Sequence, residues 1–162
     1  MNKKKDNKTE LVMKELKNMF VEQTEKTPLI DFNYMSGELI LSGRSIPINA
    51  PRIFEPILDW INEYVKNPRQ TTNLRLNLEY FNTASSIWLA KIVKALTGIS
   101  KPECVLILHV YFSIEDFDDI DDIKDDLSPI IDVVGSAAVS VGLKIYGTDS
   151  DGKVLKESMI FI

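Results

Sequence analysis

Strand-like patterns of apolar and polar residues mark four segments of this chain, at residues 29–42, 73–80, 103–112 and 142–162. The first and the last contain turn residues, at Ser36-Gly37 and at 149–152, and each therefore predicts a β-hairpin. The third is a nearly continuous apolar run, which is the pattern of a strand covered on both faces.

Apolar residues recur every three or four positions between these segments, which predicts amphipathic helices. We expect helices from Thr9 to about Glu25, from Pro51 to about Val65, over residues 84–97, and through residues 114–127. The strand at 73–80, the helix after it and the strand at 103–112 should form a right-handed parallel crossover. This order of elements predicts an α/β fold.

The composition is that of one soluble globular domain. The chain has 162 residues, of which 44% are apolar and 27% are charged. We expect a disordered, lysine-rich tail at residues 1–8, followed by a single regulatory domain at residues 9–162. No apolar run reaches the length of a membrane span, and no signal-peptide segment follows the basic N-terminus, so a cytoplasmic protein is expected.

The net charge of −5 is concentrated in one segment, since residues 115–126 hold eight carboxylates and one lysine. An acidic protein without a basic aromatic stripe is not expected to bind nucleic acid. The segment could hold a divalent cation through carboxylate oxygens, which leaves a metal-binding enzyme as one alternative. A scaffold that self-associates through its N-terminal helix and C-terminal hairpin is another.

Other candidates for catalytic or metal chemistry are sparse. His109 is the single histidine and lies in an apolar segment, where a structural role is expected rather than that of a catalytic base. Cys104 is the single cysteine, which excludes an internal disulfide and a cysteine-rich metal site. The sequence contains neither a Walker motif nor a dinucleotide fingerprint. We therefore expect no cofactor, no metal and no catalytic residue.

A run of small residues, Thr83-Ala84-Ser85-Ser86, lies where a predicted strand gives way to a predicted helix. The amide groups and dipole at a helix N-terminus favour a capping oxygen or a negative charge. Three interpretations are open: a helix cap at Asn82 or Thr83, a ligand for a phosphate, or a hydroxyl that is itself phosphorylated. A phosphate on Thr83 would add about −1.5 to −2 charges, which the helix start tolerates and a partner that buries it does not.

Three segments in sequence, 41–47, 54–60 and 78–86, resemble the SiaC family of bacterial regulatory phosphoproteins, and the resemblance covers about residues 29–126. It implies a fold similar to anti-sigma-factor antagonists, or STAS-like domains, with the acceptor hydroxyl at a helix start. We accordingly expect a single small mixed sheet flanked by helices, with an N-terminal helix and a C-terminal hairpin added.

The resemblance also implies a non-enzymatic partner switch. A serine/threonine protein kinase would phosphorylate the threonine of the Asn-Thr-x-Ser-Ser motif, here Thr83, and a PP2C-type phosphatase would remove the phosphate. The unmodified form would bind and activate a diguanylate cyclase, which implies a role in cyclic-di-GMP signalling and biofilm control. The residues expected in the surrounding contact surface are Arg44, Tyr80, Phe81, Asn82, Ser85 and Ser86.

Overall fold

The computed structural model of the chain describes residues 16–117 and 120–161. Over these residues the chain forms one seven-stranded sheet and four helices. The strands are β1 (Met19–Val21), β2 (Leu29–Asn33), β3 (Glu38–Ser45), β4 (Thr71–Phe81), β5 (Val105–Ser113), β6 (Ser140–Thr148) and β7 (Val154–Phe161). The helices are α1 (Ala50–Tyr64), α2 (Thr83–Leu96), α3 (Ile114–Phe117) and α4 (Ile120–Val134).

The strands follow one another across the sheet in chain order, from β1 at one edge to β7 at the other. β3, β4, β5 and β6 run parallel, whereas β1, β2 and β7 are antiparallel to their neighbours. Each parallel connection passes through a helix and moves one strand further in the same direction. Because such crossovers are right-handed, they place their helices on one face of the sheet, where α1 packs on α2 and α2 on α4.

The main core lies between this helical layer and the side of the sheet that faces it. Alternate residues of the central strands are buried there, including Leu74 and Leu76 of β4 and Leu106 and Leu108 of β5. The helices cover them with fully buried side chains such as Phe54. Burial of each such side chain contributes about 1.5–3 kcal/mol. The periodic apolar residues that predicted the helices thus form the stripe that closes the core.

Both predicted hairpins are present. β2 and β3 pair across a turn in which Gly37 has a φ of 71°, a conformation that favours glycine. β6 and β7 pair across the turn at 149–152. β4 and β5 are parallel neighbours joined by α2, as the crossover prediction required. The expected α/β fold with a single mixed sheet and helices is therefore confirmed.

The prediction of a helix from Thr9 to about Glu25 is wrong where the structure describes that segment. Met19–Val21 forms the edge strand β1, which pairs with β2. The Oδ1 atom of Asn18 accepts a hydrogen bond from the backbone N–H of Tyr34 at 2.8 Å and so fixes this approach. Tertiary pairing outweighs the local helical period here. Residues 1–15, which include the predicted tail, lie outside the described residues.

The prediction that β5 is covered on both faces is wrong in one respect. Leu106 and Leu108 face the helices, but His109 and Tyr111 point to the opposite face, over which the described part of the chain places no helix. His109 is buried there by neighbouring side chains, among them Arg75. A polar network therefore covers the second face of β5 in place of an apolar layer.

Candidate functional site

The hydroxyl run lies at the junction of β4 and α2, at the carboxyl edge of the parallel strands. Asn82 is the N-cap of α2, because its backbone is extended (φ −87°, ψ 174°) and its Oδ1 atom accepts a hydrogen bond from Ser85 N at 2.9 Å. Thr83 is the first residue of the helix and is exposed. Of the two residues considered as the cap, the structure selects Asn82, so capping does not require the Thr83 hydroxyl.

A buried pair of serine hydroxyls fixes the start of α2 against the end of β3. Ser85 Oγ donates to the Ser45 carbonyl at 2.9 Å and therefore accepts from Ser45 Oγ, which lies 2.8 Å away. The same carbonyl accepts from Asn82 N at 3.0 Å. Ser85 was expected in the contact surface, but it is fully buried. Its hydroxyl instead holds the helix start, and with it Thr83, in position.

Exposed apolar side chains precede and follow Thr83 in the chain. Phe81 precedes it and is 48% exposed, and Ile87 follows one helical turn later and is 55% exposed. Ile48, three residues beyond the β3 partner of Phe81, is 90% exposed. Clustered exposed apolar side chains mark interaction sites, whereas isolated ones do not. We refer to Ile48, Phe81, Thr83 and Ile87 as the Thr83 surface.

Three other predicted contact residues, Arg44, Tyr80 and Ser86, lie at the same end of the strands as this surface. Arg44 pairs with Tyr80 across β3 and β4, and its guanidinium carbon lies 5.0 Å from the centroid of the tyrosine ring. Both side chains belong to exposed residues. Ser86 is half-buried, and its hydroxyl donates to the Asn82 carbonyl at 3.4 Å. The predicted residues thus lie together at the carboxyl ends of β3 and β4 and in the first turn of α2, where Ser85 is buried.

Sequence reasoning did not single out Ile48 or Ile87. Ile87 is out of phase with the buried stripe of α2, which consists of Leu89, Ile92, Val93 and Leu96, and this difference in phase could have marked it. Ile48 lies in a loop between β3 and α1, where no periodic pattern reports which side chains are exposed.

The charge pattern at the start of α2 suits a phosphate, since the first turn of the helix contains no acidic residue. The partial positive charge of the helix N-terminus is therefore not offset by a carboxylate of that turn. A phosphate on Thr83 would lie near this positive end and near the backbone N–H groups of the first turn. Because Thr83 is exposed, a charge added to its hydroxyl would lie outside the core.

His109 belongs to the polar network on the other face of the sheet. Its Nε2 lies 2.7 Å from Asn73 Oδ1, and its Nδ1 lies 2.7 Å from the Tyr146 hydroxyl. Burial, together with the nearby charge of Arg75, lowers the pKa of His109 to about 4. The ring is therefore neutral at pH 7 and both of its nitrogens have hydrogen-bond partners, which agrees with the structural role expected for it.

The acidic segment at residues 115–126 lies partly outside the described residues, because the structure does not describe residues 118 and 119. Within the described part, Ser113 Oγ donates to Asp116 Oδ2 at 3.0 Å, and Asp116 N donates back to the hydroxyl. Among residues 16–117 and 120–161, no group of three His, Cys, Asp or Glu side chains is placed to hold a metal ion. None of the described helices is long and apolar enough to cross a membrane.

A family model for the SiaC family regulatory phosphoprotein matches residues 21–134. The chain belongs to the SiaC family. The matched range contains every element from β2 to α4, and with them the Thr83 surface and the serine pair beneath it. β6 and β7 lie beyond the matched range.

One curated relative shows how far the sequence similarity extends. An uncharacterised protein of Pseudomonas aeruginosa strain UCBPP-PA14 is 29% identical over 70 residues, which are 43% of this chain and 56% of that protein. The chain thus matches little more than half the length of this relative.

Two solved structures share the fold. The apo-SiaC structure from Pseudomonas aeruginosa superposes with a TM-score of 0.59 and 21% identity, over 68% of this chain and 92% of the other. A chain in the structure of the diguanylate cyclase SiaD in complex with its activator SiaC, from the same organism, gives a TM-score of 0.62 and 18% identity, over 79% of this chain and 99% of the other. At these identities the likeness establishes the fold.

Proposed function

We propose that this protein is a non-enzymatic regulator whose docking to a partner is switched by reversible phosphorylation of Thr83. The position of Thr83 carries the proposal, because the residue is exposed, first in α2 and next to exposed apolar side chains, while Asn82 caps the helix. Membership of a family described as regulatory phosphoproteins supports it.

Desolvation explains how one phosphate reverses binding. The free domain keeps the phosphate hydrated and close to the positive end of α2, so the added charge costs the fold little. A partner that covers the Thr83 surface must remove that hydration. Burying a dianion without a paired cation costs several kcal/mol, which exceeds what a few apolar contacts return. The unmodified protein docks, and the phosphorylated protein is released.

The partner in this proposal is a diguanylate cyclase. One solved structure of similar fold contains SiaC as the activator of the diguanylate cyclase SiaD, and we extend that relationship to this chain. A serine/threonine protein kinase and a PP2C-type phosphatase would set the state of Thr83 in the cytoplasm. The layout of helices on one face of the sheet, with the acceptor at a helix start, also supports kinship with the anti-sigma-factor antagonists.

Phosphate mapping tests the proposal. The protein is incubated with ATP and a serine/threonine protein kinase from the same organism, and the modified residue is located by mass spectrometry. We expect phosphate on Thr83 and no labelling of Thr83→Ala. Thr71→Ala, which changes another exposed threonine at the opposite end of β4, should be labelled like the wild type. Full labelling of Thr83→Ala would contradict the proposal.

A further inference from the structure

A cleft separates the carboxyl ends of β4 and β5. The two strands pair from Thr71 and Val105 as far as Leu76 and Val110, and their pairing then stops. β4 continues along β3 to its end, and β5 continues along β6. The space between the separated ends is a cavity of about 650 Å³, a volume typical of ligand sites. The strand order has no reversal here, so separation of the strands alone opens the cavity.

The cleft has an apolar interior. Its walls include Leu78 and Phe81 of β4 and Phe112 of β5, and the helices contribute Leu89, Leu127 and Ile130. These side chains would release water on contact with an apolar group, which favours binding by about 25 cal/mol per Å² buried. The occupant should therefore present apolar side chains to the cavity.

The charged side chains that line the cleft are the carboxylates of Glu79, Asp116 and Asp149. Asp149 also accepts hydrogen bonds from the backbone of its own turn, and Asp116 from Ser113. Glu79 is exposed on the strand. Every charged side chain among the described residues of the lining is negative, which favours a cationic occupant and disfavours an acidic one.

The two walls also present main-chain edges. Alternate residues of a strand direct their N–H and C=O groups to the same side, so residues 77–81 and 111–113 each turn some of these groups towards the cleft. Within the described residues, no backbone hydrogen bond crosses between these two stretches. An extended segment laid along either wall would continue the ladder of the sheet. A helix would leave these groups unpaired.

We propose that the cleft between β4 and β5 binds an extended peptide segment of another protein that carries apolar and basic residues. Addition of the peptide as a strand supplies the affinity through main-chain hydrogen bonds. Alternate side chains of the peptide contact the apolar interior and the carboxylates of the cleft and so supply the specificity. The site adjoins the Thr83 surface, with which it shares Phe81, and it goes beyond the function proposed above because the Thr83 hydroxyl takes no part in it.

Fluorescence anisotropy with a labelled peptide of alternating valine and lysine, about seven residues long, tests the proposal on the unmodified protein. We expect saturable binding. The analogue with glutamate in place of lysine, and the analogue N-methylated on alternate residues, should each bind about tenfold more weakly, because each loses charge or main-chain pairing. Backbone NMR shifts should change at residues 77–79 and 111–113.

Variants of Glu79 locate the site. Glu79→Lys should weaken binding of the lysine peptide about fivefold, and Glu79→Gln should weaken it less, because it removes the charge without reversing it. Glu55→Lys changes the net charge equally on an exposed face of α1 and should have no effect. The proposal is overturned by absence of binding at millimolar peptide, by equal binding to both Glu79→Lys and wild type, or by a helical peptide of the same composition that binds more tightly.

Discussion

At the scale of single residues, Asn82 and Thr83 divide two tasks at the start of α2. Asn82 supplies the capping oxygen through its bond to Ser85 N, and Thr83 supplies an exposed hydroxyl. The amide oxygen of Asn82 is not a site of phosphorylation, so the cap, which is worth about 1 kcal/mol, stays in place whether or not Thr83 carries a phosphate. Because the tasks lie on different residues, the phosphorylated and unmodified states can share one fold.

Substitution of Thr83 should separate charge from shape. Thr83→Asp should fold like the wild type and weaken docking of the cyclase partner at least about tenfold, or about 1.4 kcal/mol, because a carboxylate resists burial. Isothermal titration calorimetry with the cyclase measures the affinity, and thermal unfolding followed by circular dichroism checks the fold.

Thr83→Val is the matched control, since it keeps the branched shape and adds no charge. It should dock like the unmodified protein and accept no phosphate at this position. Equal affinities for the Asp and Val variants would show that charge at Thr83 does not control docking.

At the scale of elements, the contact between Ser45 and Ser85 decides where α2 begins relative to the sheet. Ser85→Ala removes both of its hydrogen bonds and leaves the buried Ser45 hydroxyl without this partner. We expect the free energy of unfolding to fall by about 1–3 kcal/mol, measured by urea denaturation. The double variant Ser45→Ala/Ser85→Ala should lower the free energy of unfolding by less than the sum of the decreases in the two single variants.

Ser128→Ala, at an exposed position of α4, provides the comparison for these serine variants. It should change the free energy of unfolding by no more than about 0.5 kcal/mol. If Ser85→Ala were as mild, the serine pair would not be what holds the helix start.

Elements with local signals could be predicted from the sequence, and those set by distant partners could not. The β2–β3 hairpin followed from alternation around Gly37, and the start of α2 followed from Asn82 and the hydroxyl run. β1 was missed because Met19 and Phe20 fit a helical period, and only pairing with β2 makes that segment a strand. In the site, the burial of Ser85 depends on Ser45, forty residues away in sequence, and nothing local reports it.

At the scale of the whole molecule, the sheet has helices on one face and a hydrogen-bonded polar layer on the other. Arg75 is the centre of that layer, where it donates to Glu38 at 2.8 Å and to the Tyr111 hydroxyl at 2.9 Å. The hydrogen bond to Glu38 raises the pKa of the guanidinium above its ordinary value. The same charge faces His109 and, with burial, keeps that ring neutral. Global stability should therefore depend on the protonation of one histidine.

The direction of that dependence follows from the lowered pKa. His109 has a pKa of about 4 in the folded protein and an ordinary value of 6.5, so the unfolded chain binds a proton first as the pH falls. The contribution of neutral His109 to the free energy of unfolding is complete above about pH 6.5. It falls by on the order of 2 kcal/mol as the pH is lowered towards about 4. Urea denaturation at pH 7 and at pH 4.5 measures it.

His109→Gln removes the titrating ring while the carboxylates of the chain stay the same. Its free energy of unfolding should change less between the two pH values than that of the wild type. Parallel pH profiles for the two proteins would show that His109 is not the group responsible.

The consecutive order of the strands suits a chain that emerges from the ribosome one segment at a time. From β2 to β7, every strand pairs with the strand translated just before it. Each new strand can therefore be added at the edge of the sheet that has already formed. No gap has to be kept open for a strand still to be translated, which limits the exposure of unpaired strands during synthesis.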